Sequence, residues 1–169
     1  QASLGIYAGG NYHFKHSTIA NYWSSSIRKG RALFISNQIG NISNPLVNAA
    51  FDNCIIYGSG QMEITLSKNE SQPFNYLFNH CLIRFNDQTA EHKNNPLYDF
   101  SNELIAKNII LNKEPLFFDA PNNDLRITKQ SNAVGLSDIL ISTQVPLDLL
   151  KKDRTTSPDA GAYQSSDVK

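Results

Sequence analysis

Tyr22 and Trp23 stand a few residues before a short basic run, Arg28-Lys29-Gly30-Arg31. Aromatic faces stack on pyranose rings, and a guanidinium pairs with carboxylate or sulfate through two parallel hydrogen bonds. Tyr22, Trp23, Arg28 and Arg31 are therefore the candidates for holding an acidic sugar. The simpler reading is that the two aromatics cover the end of a coil of chain, which requires no ligand.

Other chemistry is less well marked. His13, His16, His80 and His92 are the available general bases. No Ser or Cys joins them in a recognised nucleophile motif, so bends or the surface account for them. A lyase would need a base beside a uronate carboxylate and a cation to stabilise the enolate. Lys15, Arg28, Lys29, Arg31 and Arg84 are the cations on offer, and none has a partner at a diagnostic spacing. No catalytic residue is assigned. Asp87, Glu91, Asp99 and Glu103 could offer oxygens to calcium, but they lack the order of an EF-hand loop, so a solvated loop is expected and no metal or other cofactor is assigned. Cys54 and Cys81 form no CxxC pair. Stacked on adjacent strands their Cα atoms would lie about 4.8 Å apart, which does not forbid a disulfide; buried reduced thiols are the expectation.

The elements that position these residues follow from a repeat. Phe51-Asp52-Asn53-Cys54-Ile55-Ile56 returns 27 residues later as Phe78-Asn79-His80-Cys81-Leu82-Ile83. Ile105-Ala106-Lys107-Asn108-Ile109-Ile110 stands one period further on, and Phe14-Lys15-His16-Ser17-Thr18-Ile19 precedes them. Large apolar residues recur at the first and sixth positions, which a straight strand of period two does not give. One extra residue near Asn53 bends the strand and restores the inward parity. Asn and His tolerate the left-handed conformation of such a bend; Lys107 fits it less well. Ala32–Asn37 and Gln61–Leu66 supply a further strand after each phrase. After the third phrase the polar stretch NDQTAEHKNNPLYDFSNE reads as a protruding loop.

Aligned short strands at such a period predict stacking of coils into one continuous core. Parallel crossovers are strongly right-handed. The expected fold is thus all-β, a right-handed parallel β-helix of about four coils over residues 1–113, with an irregular C-terminal cap over 114–169. A β-sandwich or jelly roll also has many short strands, but gives no reason for in-frame repetition. Phe14, Phe51, Phe78 and Ile105 are expected to form one inward stack, and Ser17, Cys54, Cys81 and Asn108 another.

The chain has 169 residues, and its 15 Lys and Arg balance its 15 Asp and Glu. Nucleic-acid binding and anionic-membrane binding rely on surplus positive charge, so neither is expected as the main activity. No apolar run approaches the roughly 18 residues of a membrane span. The sequence starts at Gln1 with no Met and no signal-like segment, so a removed leader or a longer natural chain is expected. Leu4–Tyr7 already reads as strand with no covering helix before it. Further N-terminal coils are therefore expected as its neighbours, and they would hold most of any groove.

The later motifs carry a resemblance. Asn53-Cys54-Ile55, Pro115-Leu116-Phe117, Asp124-Leu125-Arg126-Ile127, Ser131-Asn132-Ala133 and Pro158-Asp159-Ala160-Gly161-Ala162-Tyr163-Gln164 occur in that order. The order resembles the C-terminal region of secreted right-handed β-helix proteins of Bacteroides-like bacteria. Ala160, Gln164, Ile127 and Asn132 depart from that pattern, where isoleucine, glutamate, leucine and proline are usual. The wider superfamily is similar to pectate lyases and chondroitinase-B-like polysaccharide lyases. The resemblance implies a secreted, periplasmic or outer-surface bacterial protein associated with polysaccharide. The expected role is scaffold and cap. A polysaccharide lyase or glycosidase fragment is one alternative, and a noncatalytic glycan-binding or adhesion module is another; fold alone does not choose among them.

Overall fold

Three phenylalanines from three separate strands lie one above another, with ring centroids 4.9 Å apart for Phe14 and Phe51 and 5.3 Å for Phe51 and Phe78. The computed structural model that places them describes residues 2–28 and 30–167. Among the described residues the chain is all-β with one short α-helix and two single-turn 3-10 helices, and its larger sheets are parallel.

The strands come in successive rows. The first row is β1 (Leu4–Ile6), β2 (Gly10–Lys15) and β3 (Thr18–Asn21). The second holds β4 (Leu33–Ser36), a small hairpin of β5 (Gln38–Ile39) and β6 (Ile42–Ser43), then β7 (Leu46–Asp52) and β8 (Ile55–Gly58). The third is β9 (Ile64–Ser67), β10 (Leu77–Asn79) and β11 (Leu82–Ile83), and the fourth has β12 (Ala106–Lys107) and β13 (Ile110–Leu111). Like strands pair across rows, giving parallel sheets β1-β4-β9, β12-β10-β7-β2 and β13-β11-β8-β3. Beyond these rows lie an antiparallel pair, β14 (Phe117–Asp119) with β15 (Asp124–Ile127), the helix α1 (Ile139–Ser142), and 3-10 turns at Pro96–Tyr98 and Ala120–Asn122.

Pairing follows the repeated phrase. Phe14, Phe51 and Phe78 are register partners, as are Ile19, Ile56 and Ile83. The bend between the two strands is left-handed at His16 (φ 48°), Asn53 (φ 56°) and His80 (φ 52°). That one residue lets Phe51, Cys54 and Ile56 all join the same core cluster. Cys54 and Cys81 are free, buried thiols there, and desolvation by burial pushes the Cys81 thiol well above its ordinary range.

The fourth row corrects the expected alignment by one residue. Phe78 pairs with Ala106, not Ile105, and the left-handed bend falls on Asn108 (φ 49°). Asn adopts that conformation far more readily than Lys107 would, so the register slides to put Asn at the corner. Asn108 accordingly leaves the expected inward stack, where Ile109 packs against the core instead. The volume a fourth phenylalanine would have filled is met by Phe100, whose ring lies edge-on to Phe78 at 6.1 Å.

The polar insertion is not merely a protruding loop. Its Leu97, Tyr98 and Phe100 pack on the main core, and Tyr98 stacks on Phe85 at 5.0 Å. The Tyr98 hydroxyl accepts the Leu66 N–H at 2.7 Å, satisfying a backbone donor on the outer edge of β9. The loop thus covers the end of the core at the place where a further strand would pair.

The segment after Glu114, expected to cap that end, lies along a flank instead. Its Ile127, Ala133 and Ala160 form a second buried cluster with Ile55, Tyr57 and Leu82, which face outward from β8 and β11. Gly161 (φ 93°) donates its N–H to Asn53 O at 2.8 Å. A Cβ at Gly161 would come within 2.7 Å of the Ile55 and Thr18 side chains, so a larger residue would hold the segment off the sheet. Buried Arg154 ties the same strip by donating to Gly161 O and Ala162 O, both at 3.3 Å.

At the opposite end, β1, β2 and β3 are each the outer strand of their sheet. Phe14 is partly exposed there, whereas Phe51 and Phe78 beneath it are fully buried.

Candidate functional site

The residues expected to hold a sugar do not converge. Arg28 donates through Nη2 to Glu63 Oε1 at 2.5 Å and through Nη1 to the Asn21 carbonyl. Glu63 is fully buried and also accepts the N–H groups of Gly60 at 2.7 Å and Ala32 at 2.8 Å. A buried carboxylate needs a counter-charge, and Arg28 supplies it, so its guanidinium is engaged by the protein itself. Trp23 is 58% exposed and donates its indole N–H to Ser26 Oγ at 2.9 Å. Trp23 and Arg28 do share a shallow pocket of about 430 Å³ with Ser26 and Ile27.

Tyr22 turns away from that pocket. Its ring lies edge-on to Phe117 at 6.0 Å within the flank cluster, where burial, and then Glu114, push the phenol above its ordinary range. Arg31 lines a separate hollow with Glu91, His92 and Tyr98. Lys29 lies outside the described residues. Arg84 sits 3.8 Å from Glu114 and 5.8 Å above the Tyr57 ring.

Two of the four acidic candidates for calcium, Asp87 and Asp99, are loop builders. Asp87 accepts the N–H groups of Glu91 and His92, and Asp99 accepts the Ser101 N–H and hydroxyl. Among the described residues, no group of three or more His, Cys, Asp or Glu side chains is placed to hold a metal ion.

A different cluster assembles on the outer face of sheet β12-β10-β7-β2. Alternation puts Phe14, Phe51 and Phe78 inward, so the residues after them point out. Lys15, Asp52, Asn79 and Lys107 are consecutive register partners across the four strands. His13, two residues before Lys15, faces the same way and pairs through Nε2 with Asp52 Oδ2. The second Asp52 oxygen accepts Asn79 Nδ2 at 2.6 Å. Asn79 Oδ1 meets His80 Nδ1 at 2.9 Å, and His80 Nε2 meets Asn108 Nδ2 at 3.3 Å.

One carboxylate orders this whole line. Ionised Asp52 only accepts, so His13 Nε2 and Asn79 Nδ2 are donors. Asn79 Oδ1 must then accept from His80 Nδ1–H, and His80 Nε2 is left to accept from Asn108. The other ring nitrogen of His13, Nδ1, consequently points away from Asp52. Its side chain is 44% exposed while that of Asp52 is 8% exposed, so a solvent-facing imidazole is held by a buried carboxylate. Lys15 reaches past the bend to Gln144 Oε1 at 2.6 Å, which places the segment after α1 along one side of the face.

The sequence named His13 and Lys15 but missed Asp52 and Asn79. Both sit inside the repeated phrase, each next to a bend residue, Asn53 or His80, and carry no motif of their own there. The available signal was parity: whatever follows the inward Phe of each phrase must face outward.

His16 belongs to the structural counterpart of this line. Its Nε2 lies 2.9 Å from Ser142 Oγ and 2.9 Å from Asn53 Nδ2, and Asn53 exchanges bonds with the Asp138 backbone at 2.8 and 3.0 Å. Burial, helped by the charge of Arg154, lowers the His16 pKa to about 4. His16 is thus neutral and ties α1 to the bends.

No family model matches the chain, and neither a curated protein nor a solved structure is found to be similar to it.

Proposed function

We propose that the chain is a scaffold portion of a right-handed parallel β-helix protein, secreted, periplasmic or on the outer surface of a bacterium, that contacts an acidic polysaccharide through the outer face of sheet β12-β10-β7-β2. The cyclic order in which the chain visits its three parallel sheets supports the helical reading, and the strong preference for right-handed crossovers supports the hand. The resemblance of the C-terminal motifs supports the cellular setting.

The row Lys15–Asp52–Asn79–Lys107, with His13 beside it, carries the functional reading. It sets cations and hydrogen-bonding side chains one strand spacing apart, about 4.8 Å, along a line that suits an extended, anionic polymer. The test is retention on immobilised acidic polysaccharides. The protein is expected to bind, Lys15→Gln with Lys107→Gln to bind more weakly, and a neutral glucan to retain neither. Equal retention of the double variant removes this face from the reading.

A second reading, lyase-like catalysis, is favoured by one observation: the His13–Asp52 pair offers an oriented proton acceptor with Lys15 close by on the same strand. Release of unsaturated uronate products, seen as ultraviolet absorbance, and its loss in His13→Gln would establish it. A reducing-sugar assay covers the glycosidase alternative. The outer positions of β1, β2 and β3 support the expectation that further rows of strands pair there in the natural chain.

A further inference from the structure

Arg31 and Glu91 line one hollow of about 270 Å³ and carry opposite charges, yet among the described residues neither belongs to an ion pair. Arg31 differs in this from the other arginines. Arg28, Arg84, Arg126 and Arg154 each donate to a protein oxygen. The Arg31 side chain is half-buried and donates to none among the described residues. A guanidinium drawn that far from water calls for an acceptor.

Both charged groups are held from behind. Arg31 stands just before β4, where its carbonyl accepts Asn21 Nδ2 at 3.3 Å and the N–H of Ala32 donates to Glu63 Oε2 at 2.8 Å. The Asp87 carboxylate accepts the N–H groups of Glu91 at 3.0 Å and His92 at 2.8 Å, which fixes the rim that carries the acid. Ile64 and Leu66 belong to the core, so Thr65 faces out from β9 into the same wall. The rings of His92 and Tyr98, with centroids 4.3 Å apart, complete it. Burial raises the Tyr98 phenol above its ordinary range, and Arg31 and Glu91 act on it in opposite directions, so both charges converge there.

We propose that this hollow binds a free apolar α-amino acid, whose carboxylate pairs with Arg31 and whose ammonium pairs with Glu91. A guanidinium meets a carboxylate through two parallel N–H groups. A ligand with one charge sets the other wall group against it: Glu91 repels a uronate, and Arg31 repels an amine. A peptide end likewise brings only one of the two charges. A zwitterion with both charges on neighbouring atoms satisfies both groups at once. The volume admits one small molecule and not a polymer. Met62 and Leu66 add apolar wall beside Tyr98, which suits an aliphatic side chain. None of these residues belongs to the line from Lys15 to Lys107, so the site stands apart from the polysaccharide reading.

The test is a titration of the isotopically labelled protein with L-leucine and with L-methionine, followed through amide shifts. Saturable shifts at Arg31, Thr65, Glu91 and His92 are expected. Saturation by either amino acid supports the proposal, and failure of both overturns it. Isocaproate is the leucine skeleton without its ammonium, and leucine amide lacks the carboxylate. Each should bind at least about tenfold more weakly than leucine, because a wall group built to meet the missing charge is left unpaired. Arg31→Gln and Glu91→Gln should each weaken leucine binding by about tenfold, with the urea midpoint unchanged. Equal binding of leucine and either analogue overturns the proposal, as does unchanged affinity in either variant. Should Arg31→Gln misfold, Glu91→Gln, on the exposed rim, carries the same comparison.

Discussion

Asp52, on β7, accepts from His13 on the strand before it and from Asn79 on the strand after it, so one buried carboxylate spans three rows of the sheet. Replacing it with Ala removes the shared acceptor of both neighbours. The expected loss is about 1–3 kcal/mol of unfolding free energy, measured by urea denaturation. Asp52→Asn keeps the volume but can no longer accept on both atoms. Nitrogen-15 spectra of the imidazoles should therefore show His13 losing its fixed Nε2–H tautomer.

The phenylalanine column makes a graded prediction. Phe51 is sandwiched between Phe14 and Phe78 and is fully buried, whereas Phe14 is partly exposed, with Phe51 at 4.9 Å and Tyr12 more distant at 6.4 Å. Phe51→Ala should cost about 3–5 kcal/mol, and Phe14→Ala clearly less. Equal losses would mean that the first row is covered as well as the second.

His16 makes a prediction about acid. Its folded pKa is lowered to about 4, against about 6.5 for a free imidazole. Between those values the unfolded chain binds a proton that the folded chain refuses, so stability rises with pH there. The contribution is complete above pH 6.5 and is lost as pH falls from 6.5 towards 4. His16→Asn should flatten that part of the stability profile. Asn is the natural choice, since Asn53 and Asn108 hold the same left-handed corner in other rows.

Arg28 and Glu63 make a prediction that separates structure from ligand binding. Arg28→Ala leaves Glu63 buried without its counter-charge, which should cost about 3–5 kcal/mol. Pairing it with Glu63→Gln should recover a large part of that loss. Sugar binding that tracks the recovered stability would assign Arg28 a purely structural role.

Much of the framework was legible because the core itself is periodic. The Phe columns, the corner residues His16, Asn53 and His80, and the strands around Ile35 and Ile64 all follow from inward parity and the few residue types that accept a left-handed bend. The fourth row was misaligned by one residue because identity of position yielded to the conformational need at the corner, met by Asn108. The loop containing Tyr98 and Phe100 was read as solvated because its composition is polar, although three of its apolar residues suffice to close the core end. Tyr22, Trp23, Arg28 and Arg31 were grouped by nearness in sequence. The chain turns between them, and a buried carboxylate 35 residues beyond Arg28 claims its charge. Asp52 and Asn79 were hidden because a residue inside a structural repeat reads as structural until its outward parity is followed across strands.

The central claim is that the outer face of sheet β12-β10-β7-β2 meets an acidic polysaccharide. A titration of the isotopically labelled protein with uronate oligosaccharides, followed through backbone amide shifts, tests it most directly. Shifts clustered at residues 13, 15, 52, 79 and 107 are the predicted result. Shifts confined to the Trp23 and Ile27 pocket, or an unchanged spectrum at saturating oligosaccharide, would contradict it.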